Sequence, residues 1–302
     1  MKNLIFISAF TFLFNWTATA AGHISRDSSW TYGGNGGLNL SQVSLNNWAS
    51  GGENALINIK FFIVLVGFDV LLNYSADYKK NKHLWQNRIE MAYGLNQTET
   101  SGTKKTNDKL YFSSTYGYGM TKSLYLSALL NFNTQFAKGY DYKTEPRTYI
   151  SRFMSPGYLT TGLGLTWNPK NWITATFSAI SWRGTFVSSK ILSDEGSFGV
   201  DPGEHLFSEM GGNLKVEVKY EFLKNMTIYS RVDLFSNYLE DPQNVDVRWD
   251  VQLNMTVNKW FSANISTNLI YDNDTKIVQK DGSKGPRLQF KESLGVGFQV
   301  TF

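Results

Sequence analysis

From Val245 to Val257 every odd position is apolar and every even one polar or charged: Val245, Val247, Trp249, Val251, Leu253, Met255 and Val257 against Asp246, Arg248, Asp250, Gln252, Asn254 and Thr256. A period of two is the signature of an extended strand with one apolar and one polar face. The same alternation returns at Leu214, Val216, Val218 and Tyr220, and again from Leu294 to Phe302. A soluble sheet shows such a face once. Recurrence in strand after strand predicts an all-β chain, a closed antiparallel transmembrane β-barrel with apolar residues toward lipid and polar ones toward the lumen.

Short polar turns divide the pattern. Lys80-Asn81-Lys82, Thr121-Lys122-Ser123, Asn168-Pro169-Lys170-Asn171, Leu223-Lys224-Asn225 and Asn258-Lys259 each carry lysine and small polar residues suited to a tight reversal. The connections between these hairpins, 97–107, 138–147, 187–206, 238–244 and 273–286, are longer and more polar. Short turns on one rim and long loops on the other are the asymmetry of outer-membrane barrels. Five turns join ten strands, at about 54–78, 85–97, 108–120, 123–138, 147–167, 171–186, 207–222, 226–238, 244–257 and 260–272. Residues 35–44 and 287–302 bring the expected count to about twelve, an even number. With the C-terminus in the periplasm, the lysine turns are periplasmic and the long loops extracellular. Between 55 and 78 the apolar phase moves from odd positions (Ala55 to Ile63) to even ones (Val70 to Ala76), which predicts a bulge or inserted turn near Gly67.

Parity assigns each residue a face. Leu214, Val216, Val218, Tyr220, Ile228, Val232, Leu234, Phe261, Ala263, Ile265, Leu269, Leu294, Val296, Phe298, Val300 and Phe302 face lipid. Lys215, Glu217, Lys219, Glu221, Arg231, Asp233, Asp246, Arg248, Asp250 and Lys291 face the lumen. Glu292 falls on the lipid side, which is tolerable above the hydrocarbon band. Both signs of charge occur on consecutive strands. Such rows either cross-link into an ionic network that fills a narrow lumen, or form a solvated, self-neutralising wall; a selectivity path is the third reading. Trp85, Tyr118, Trp167, Trp172, Tyr220, Phe222, Trp260 and Phe302 lie near the turns and read as an interfacial girdle. Trp182 and Trp249 lie nearer the other rim, as girdle, core or ligand-stacking residues.

Composition agrees with this reading. Aromatic residues make up 15%, and mean hydropathy is −0.28, too polar for a helical membrane protein. The net charge of +4 is interleaved by sign, which leaves no nucleic-acid patch. At the N-terminus Lys2, the apolar run Leu4–Phe14 and Ala18-Thr19-Ala20 predict a signal peptide over 1–20, then an N-terminal segment over 21–34 and the barrel over 35–302.

Chemistry-bearing residues are few. There is no cysteine, and the three histidines are His23, His83 and His205. His205, with Asp194, Glu195, Asp201 and Glu204 near it in sequence, is the one candidate set for a protease-like or metal site. A polar loop is the plainer reading. No phosphate loop, zinc-binding His pair or EF-hand spacing occurs. No catalytic residue, metal or cofactor is assigned.

Two glycine-rich stretches precede the first hairpin: Trp30-Thr31-Tyr32-Gly33-Gly34-Asn35-Gly36-Gly37-Leu38-Asn39-Leu40-Ser41-Gln42, and Asn46-Asn47-Trp48-Ala49-Ser50-Gly51-Gly52-Glu53-Asn54. Paired glycines permit tight backbone approach, and Trp48 between Asn47 and Gly51-Gly52 suggests a rigid turn that folds over the lumen or simply joins two strands. With Tyr74–Lys80 and Trp85-Gln86-Asn87, this pattern over about 29–95 resembles a family of Bacteroidota outer-membrane proteins known only as a domain of unknown function. Matching members run from Gly-Gly-Glu-Asn into the Tyr-Lys-Lys turn through a shorter strand, so residues 60–69 resemble an insertion. The resemblance implies a Gram-negative outer-membrane barrel and carries no activity. The expected role is a structural or accessory envelope barrel with a largely occluded lumen. The alternative is a small porin-like channel. Outer-membrane lipid and other envelope proteins are the expected partners, and the sequence does not set the oligomeric state.

Overall fold

The computed structural model describes residues 29–49, 67–98, 102–141, 146, 148–278 and 283–302. The predicted signal peptide, Gly51 and Gly52, and the 55–66 part of the first hairpin lie outside them. Twelve antiparallel strands close into one barrel. They are β1 (Trp30–Asn46), β2 (Gly67–Lys80), β3 (His83–Thr98), β4 (Gly102–Gly119), β5 (Leu124–Thr134), β6 (Gly157–Lys170), β7 (Ile173–Phe186), β8 (Leu206–Leu223), β9 (Met226–Asn237), β10 (Val245–Thr256), β11 (Phe261–Tyr271) and β12 (Gln289–Thr301).

Each strand neighbours the next in sequence, and β12 returns to β1. The seam between the chain's two ends is held by the register Asn35↔Thr301 through Asn46↔Phe290. Beyond it, Gly34 and Phe302 exchange backbone hydrogen bonds of 2.9 and 3.0 Å. Here glycine is required, because a Cβ on Gly34 would lie 2.5 Å from the Asn73 carbonyl oxygen and 2.7 Å from the Phe302 ring.

The five lysine-bearing turns share one rim with the C-terminus, and the longer connections share the other. Several element bounds differ from the sequence expectation. The connection expected at 97–107 is mostly strand: β3 runs to Thr98 and β4 starts at Gly102. Its polar residues continue the hairpin instead of leaving the sheet, with one extra residue near Thr106 taken up as a bulge against Gly94/Leu95. The expected strand 147–167 is β6 preceded by a separate short ribbon, in which Gly139–Asp141 pairs with Thr148–Ser151. β1 begins at Trp30 and not at 35.

β9 and β10 pair from Met226↔Met255 to Ser236↔Val245 without a register shift, which keeps the even residues of β9 and the odd residues of β10 on the outer face. β7 does not keep one phase. Its pairings shift near Ser178–Ser181 against both neighbours. Thr174, Thr176 and Ser178 are buried inward on even positions, and Ser181 and Thr185 on odd ones. This bulge decides where Arg183 points.

Outside, Tyr220, Phe261, Ile265, Leu294, Val296, Phe298 and Phe302 are exposed, as are the predicted girdle residues Trp85, Tyr118, Trp167, Trp172, Phe222 and Trp260. Trp249 also lies outside, its indole N–H bonded to Ser230 Oγ at 3.0 Å. Trp182 donates likewise to Ser208 Oγ at 2.6 Å. An indole that needs one acceptor finds it on the neighbouring strand, so neither ring is a lumenal stacking platform. Among the described residues no helix is long and apolar enough to cross a membrane. The chain crosses with strands, whose backbone groups are all paired only when the sheet is closed. A closed barrel with this exterior is an outer-membrane protein in contact with lipid.

Candidate functional site: a bridged lumen

Arg231 stands inward on β9 and is 1% exposed. Its guanidinium donates to Glu90 Oε1 at 2.9 Å and to Asp250 Oδ2, and its Nε lies 3.6 Å from Asp233. Its flat face lies 3.7 Å from the centroid of Tyr111, where the π-electrons favour a cation. Lys109 completes the node, with Nζ 2.8 Å from Glu90 Oε2 and 3.3 Å from Asp250 Oδ2. Asn268 donates to the other Asp250 oxygen at 2.6 Å.

These partners come from opposite walls. Glu90 is on β3 and Arg231 on β9, six strands apart in a ring of twelve; Lys109 on β4 and Asp250 on β10 are also six apart. Further links run the same way. Arg88 on β3 reaches Glu217 on β8 at 3.9 Å and lies 4.3 Å over the Tyr229 ring. Lys215 on β8 pairs with Glu217 at 3.2 Å and donates across to Ser113 Oγ at 2.9 Å on β4. The connected set holds four cations (Arg88, Lys109, Lys215, Arg231) and four anions (Glu90, Glu217, Asp233, Asp250). A buried charge is tolerable only when paired and hydrogen-bonded, and this set is neutral as a whole.

The other residues expected in the lumen are distributed around this node. Asp246 sits nearer the loop rim, bonded to Arg183, which also grips Glu209 with two bonds of 2.6 Å. Oxygens of Glu209, Asp246 and Asp274 lie within 4.8 Å of one another, and the guanidinium of Arg183 already supplies a cation to two of them. Burial and the neighbouring Asp272 and Asp246 push Asp274, in the loop after β11, up to about 6. Arg248 lies 5.0 Å over the Tyr158 ring. Lys291 donates to Asn107 Oδ1 and stands 5.7 Å from the Trp48 ring centroid. Lys219 and Glu221 are exposed toward the turn rim, where Glu221 accepts the Asn225 N–H at 3.2 Å. Asn47 donates from its side chain to the Leu288 carbonyl at 3.2 Å.

The loop rim is built over the lumen. Between β7 and β8 a five-residue helix, α1 (Lys190–Asp194), belongs to a small apolar core of Val187, Leu192 and Val200, against which Tyr149, Phe198 and Phe207 pack. His205 closes the base of this loop. Its Nδ1 is 2.7 Å from the Val187 carbonyl oxygen, and its own carbonyl accepts the Val187 N–H at 2.9 Å. Lys105 and Asp108, paired at 2.8 Å, tie 135–137 to β4: Asp108 accepts the Phe136 and Ala137 N–H groups and Lys105 donates to the Ala137 carbonyl. Beneath this roof a cavity of about 140 Å³ follows the lumen wall, lined by Trp48, Phe198 and Pro156 toward the loops and by Asn35 and Gln299 toward the turns.

Glu90, Lys109, Arg88 and Arg183 belong to these clusters and were missed by the sequence reading. For Glu90 and Arg88 the signal was present, since β3 alternates Trp85, Ile89, Met91 and Tyr93 outward against Gln86, Arg88 and Glu90; outward Asn87 interrupts it. For Arg183 the signal is the three-residue step between Phe177 and Ile180, two exposed apolar residues that a strict alternation places on opposite faces.

A family model described as a protein of unknown function, DUF3078, matches residues 40–140, and a second such model, DUF481, matches residues 198–298. No curated protein matches the sequence significantly. Among solved structures the chain is similar to the NanC porin, at 10% identity and a TM-score of 0.42, over 87% of this chain and 98% of that one. It is also similar to an outer-membrane channel from Pseudomonas putida F1, at 9% identity and a TM-score of 0.37, over 93% and 100% of the two chains. A third similar structure is the outer-membrane phospholipase A from Escherichia coli, at 10% identity and a TM-score of 0.37, over 88% and 95%.

Proposed function

We propose that this chain is a non-enzymatic, structural or accessory barrel of the cell envelope, with its lumen held shut by the ionic network. The observation that carries the reading is the pair of bridges across the full width of the lumen, Arg231 to Glu90 and Lys109 to Asp250. A wide aqueous pore lets charged side chains fold back against their own wall into water. Here they meet across the lumen, with Arg231, Glu90 and Asp250 buried. The two described histidines support the absence of catalysis: His83 is bonded to Tyr116 on the outer surface and His205 to a backbone carbonyl. The resemblance of the Asn47–Asn54 stretch supports a Bacteroidota source, and an accessory role supports further envelope proteins as partners.

A small porin-like channel is the second reading, favoured by the wall-side cavity that runs past the node. Liposome swelling separates the two. Proteoliposomes with the purified barrel should swell in arabinose no faster than empty liposomes. Swelling that falls with solute size, from arabinose to raffinose, would make the protein a channel.

A further inference from the structure

The lumenal cavity has a lining that plugging alone does not require. Toward the turn rim its walls are uncharged amides: Asn39, Asn73, Gln252, Asn254, Asn264 and Gln299. Inward Gly295 and Gly297 let Asn264 and Asn39 lie close against the β12 backbone; a Cβ on Gly295 would lie 2.7 Å from Asn264 Oδ1, and one on Gly297 would clash with the Leu38 carbonyl oxygen and lie 2.8 Å from Asn39 Oδ1. Asn39 and Asn264 are 2% and 7% exposed, and the Oδ1 of the first and the Nδ2 of the second have no hydrogen-bond partner in the protein. An unmade bond of this kind costs about 1–3 kcal/mol. Toward the loop rim the lining turns aromatic, with Trp48, Tyr158 and Phe198. Its charged members balance, Lys109, Arg231, Arg248 and Lys291 against Glu90, Asp108, Asp250 and Asp272.

We propose that this cavity is a binding site for a neutral, hydroxyl-rich small solute of the saccharide class. Amides both donate and accept, as hydroxyls do, so an amide wall matches a polyol without selecting a charge. Ring faces at the other end suit the C–H face of a sugar. A lining whose charges cancel offers nothing to favour an anion or a cation over a neutral solute. The volume holds about ten water molecules at ~10–15 Å³ each, which a bound solute would displace. Binding in this cavity does not require the lumen to conduct.

The test is calorimetric titration of the purified full-length barrel with glucose and maltose, with glucuronate and glucosamine as charged counterparts. Saturable binding of a neutral sugar at millimolar concentration, preferred over both charged ones, is expected. Gln252→Leu and Asn264→Leu should each weaken it on the order of tenfold, ~1.4 kcal/mol. Gln252→Leu serves if Asn264→Leu does not fold. No saturable heat, equal or tighter binding of glucuronate or glucosamine, or unchanged binding in the folded variants would overturn the proposal. Liposome swelling reports separately: a sealed barrel that binds no sugar defeats this inference alone, and an open barrel that binds sugar defeats the occluded-lumen reading alone.

Discussion

Arg231→Met removes one cation from the neutral node and leaves three cations facing four anions. Glu90 and Asp250, 4% and 3% exposed, then share Lys109 as their nearest cation. Removing one partner of a buried pair costs roughly 3–5 kcal/mol, because a charge is stranded in a low-dielectric site. At 1.4 kcal/mol per tenfold, this is roughly two to four orders of magnitude in the unfolding equilibrium. Glu90→Gln unbalances the node in the opposite sense. The double variant returns to three against three, so its loss should fall short of the sum of the single losses by about 1–3 kcal/mol. Arg231→Lys keeps the charge but loses the fork that reaches two carboxylates, and should fall between wild type and Arg231→Met. Urea titration of the barrel in liposomes, followed by tryptophan fluorescence, measures all four. Single losses below about 1 kcal/mol that simply add would match hydrated surface pairs, and would refute a buried, bridged node.

Three further outcomes follow from the structure. Asp274, raised to about 6, loses proton affinity on unfolding, so its ionisation disfavours the folded loop. Stability should therefore rise as pH falls through 6 toward the ordinary carboxylate value, by about 1 kcal/mol after solvent screening; hydrogen exchange of 272–278, corrected for intrinsic rates, should slow between pH 7.5 and 5, and Asp274→Asn should abolish the change. Gly34→Val forces a side chain against Asn73 and Phe302 at the closing seam and should cost about 1–3 kcal/mol, read as a lower temperature for the loss of the compact band on semi-native gels. In a chain without cysteine, Lys190→Cys on the loop rim should react with an impermeant maleimide on intact cells, while Lys82→Cys and Lys224→Cys should react only after the outer membrane is opened; the reverse pattern would invert the barrel.

The alternation was enough to place the inward charges of β8, β9, β10 and β12, because the side-chain period of a strand is fixed by backbone geometry. It was insufficient in two physical respects. A bulge resets the period, so Arg183, on the lipid face by strict parity from Phe177, stands in the lumen beyond Ser178–Ser181. Parity also reports direction and not reach. That Glu90 meets Arg231 depends on the barrel's width and shear, which are set by twelve strands together. The charge balance was legible in sequence, but the wall-to-wall pairing that gives it meaning was not. Loop segments such as Val187–Val200 gave no periodic signal, since their small core is assembled from residues without regular spacing.

Single-channel recording in planar bilayers decides whether the ionic network shuts the lumen, by comparing wild type with a Glu90→Ala, Lys109→Ala, Arg231→Ala triple variant. No steady conductance is expected from wild type, and discrete open steps from the triple variant, in which both wall-to-wall bridges of the central node are gone. A large, steady wild-type conductance, unchanged by the three substitutions, would contradict closure by the network.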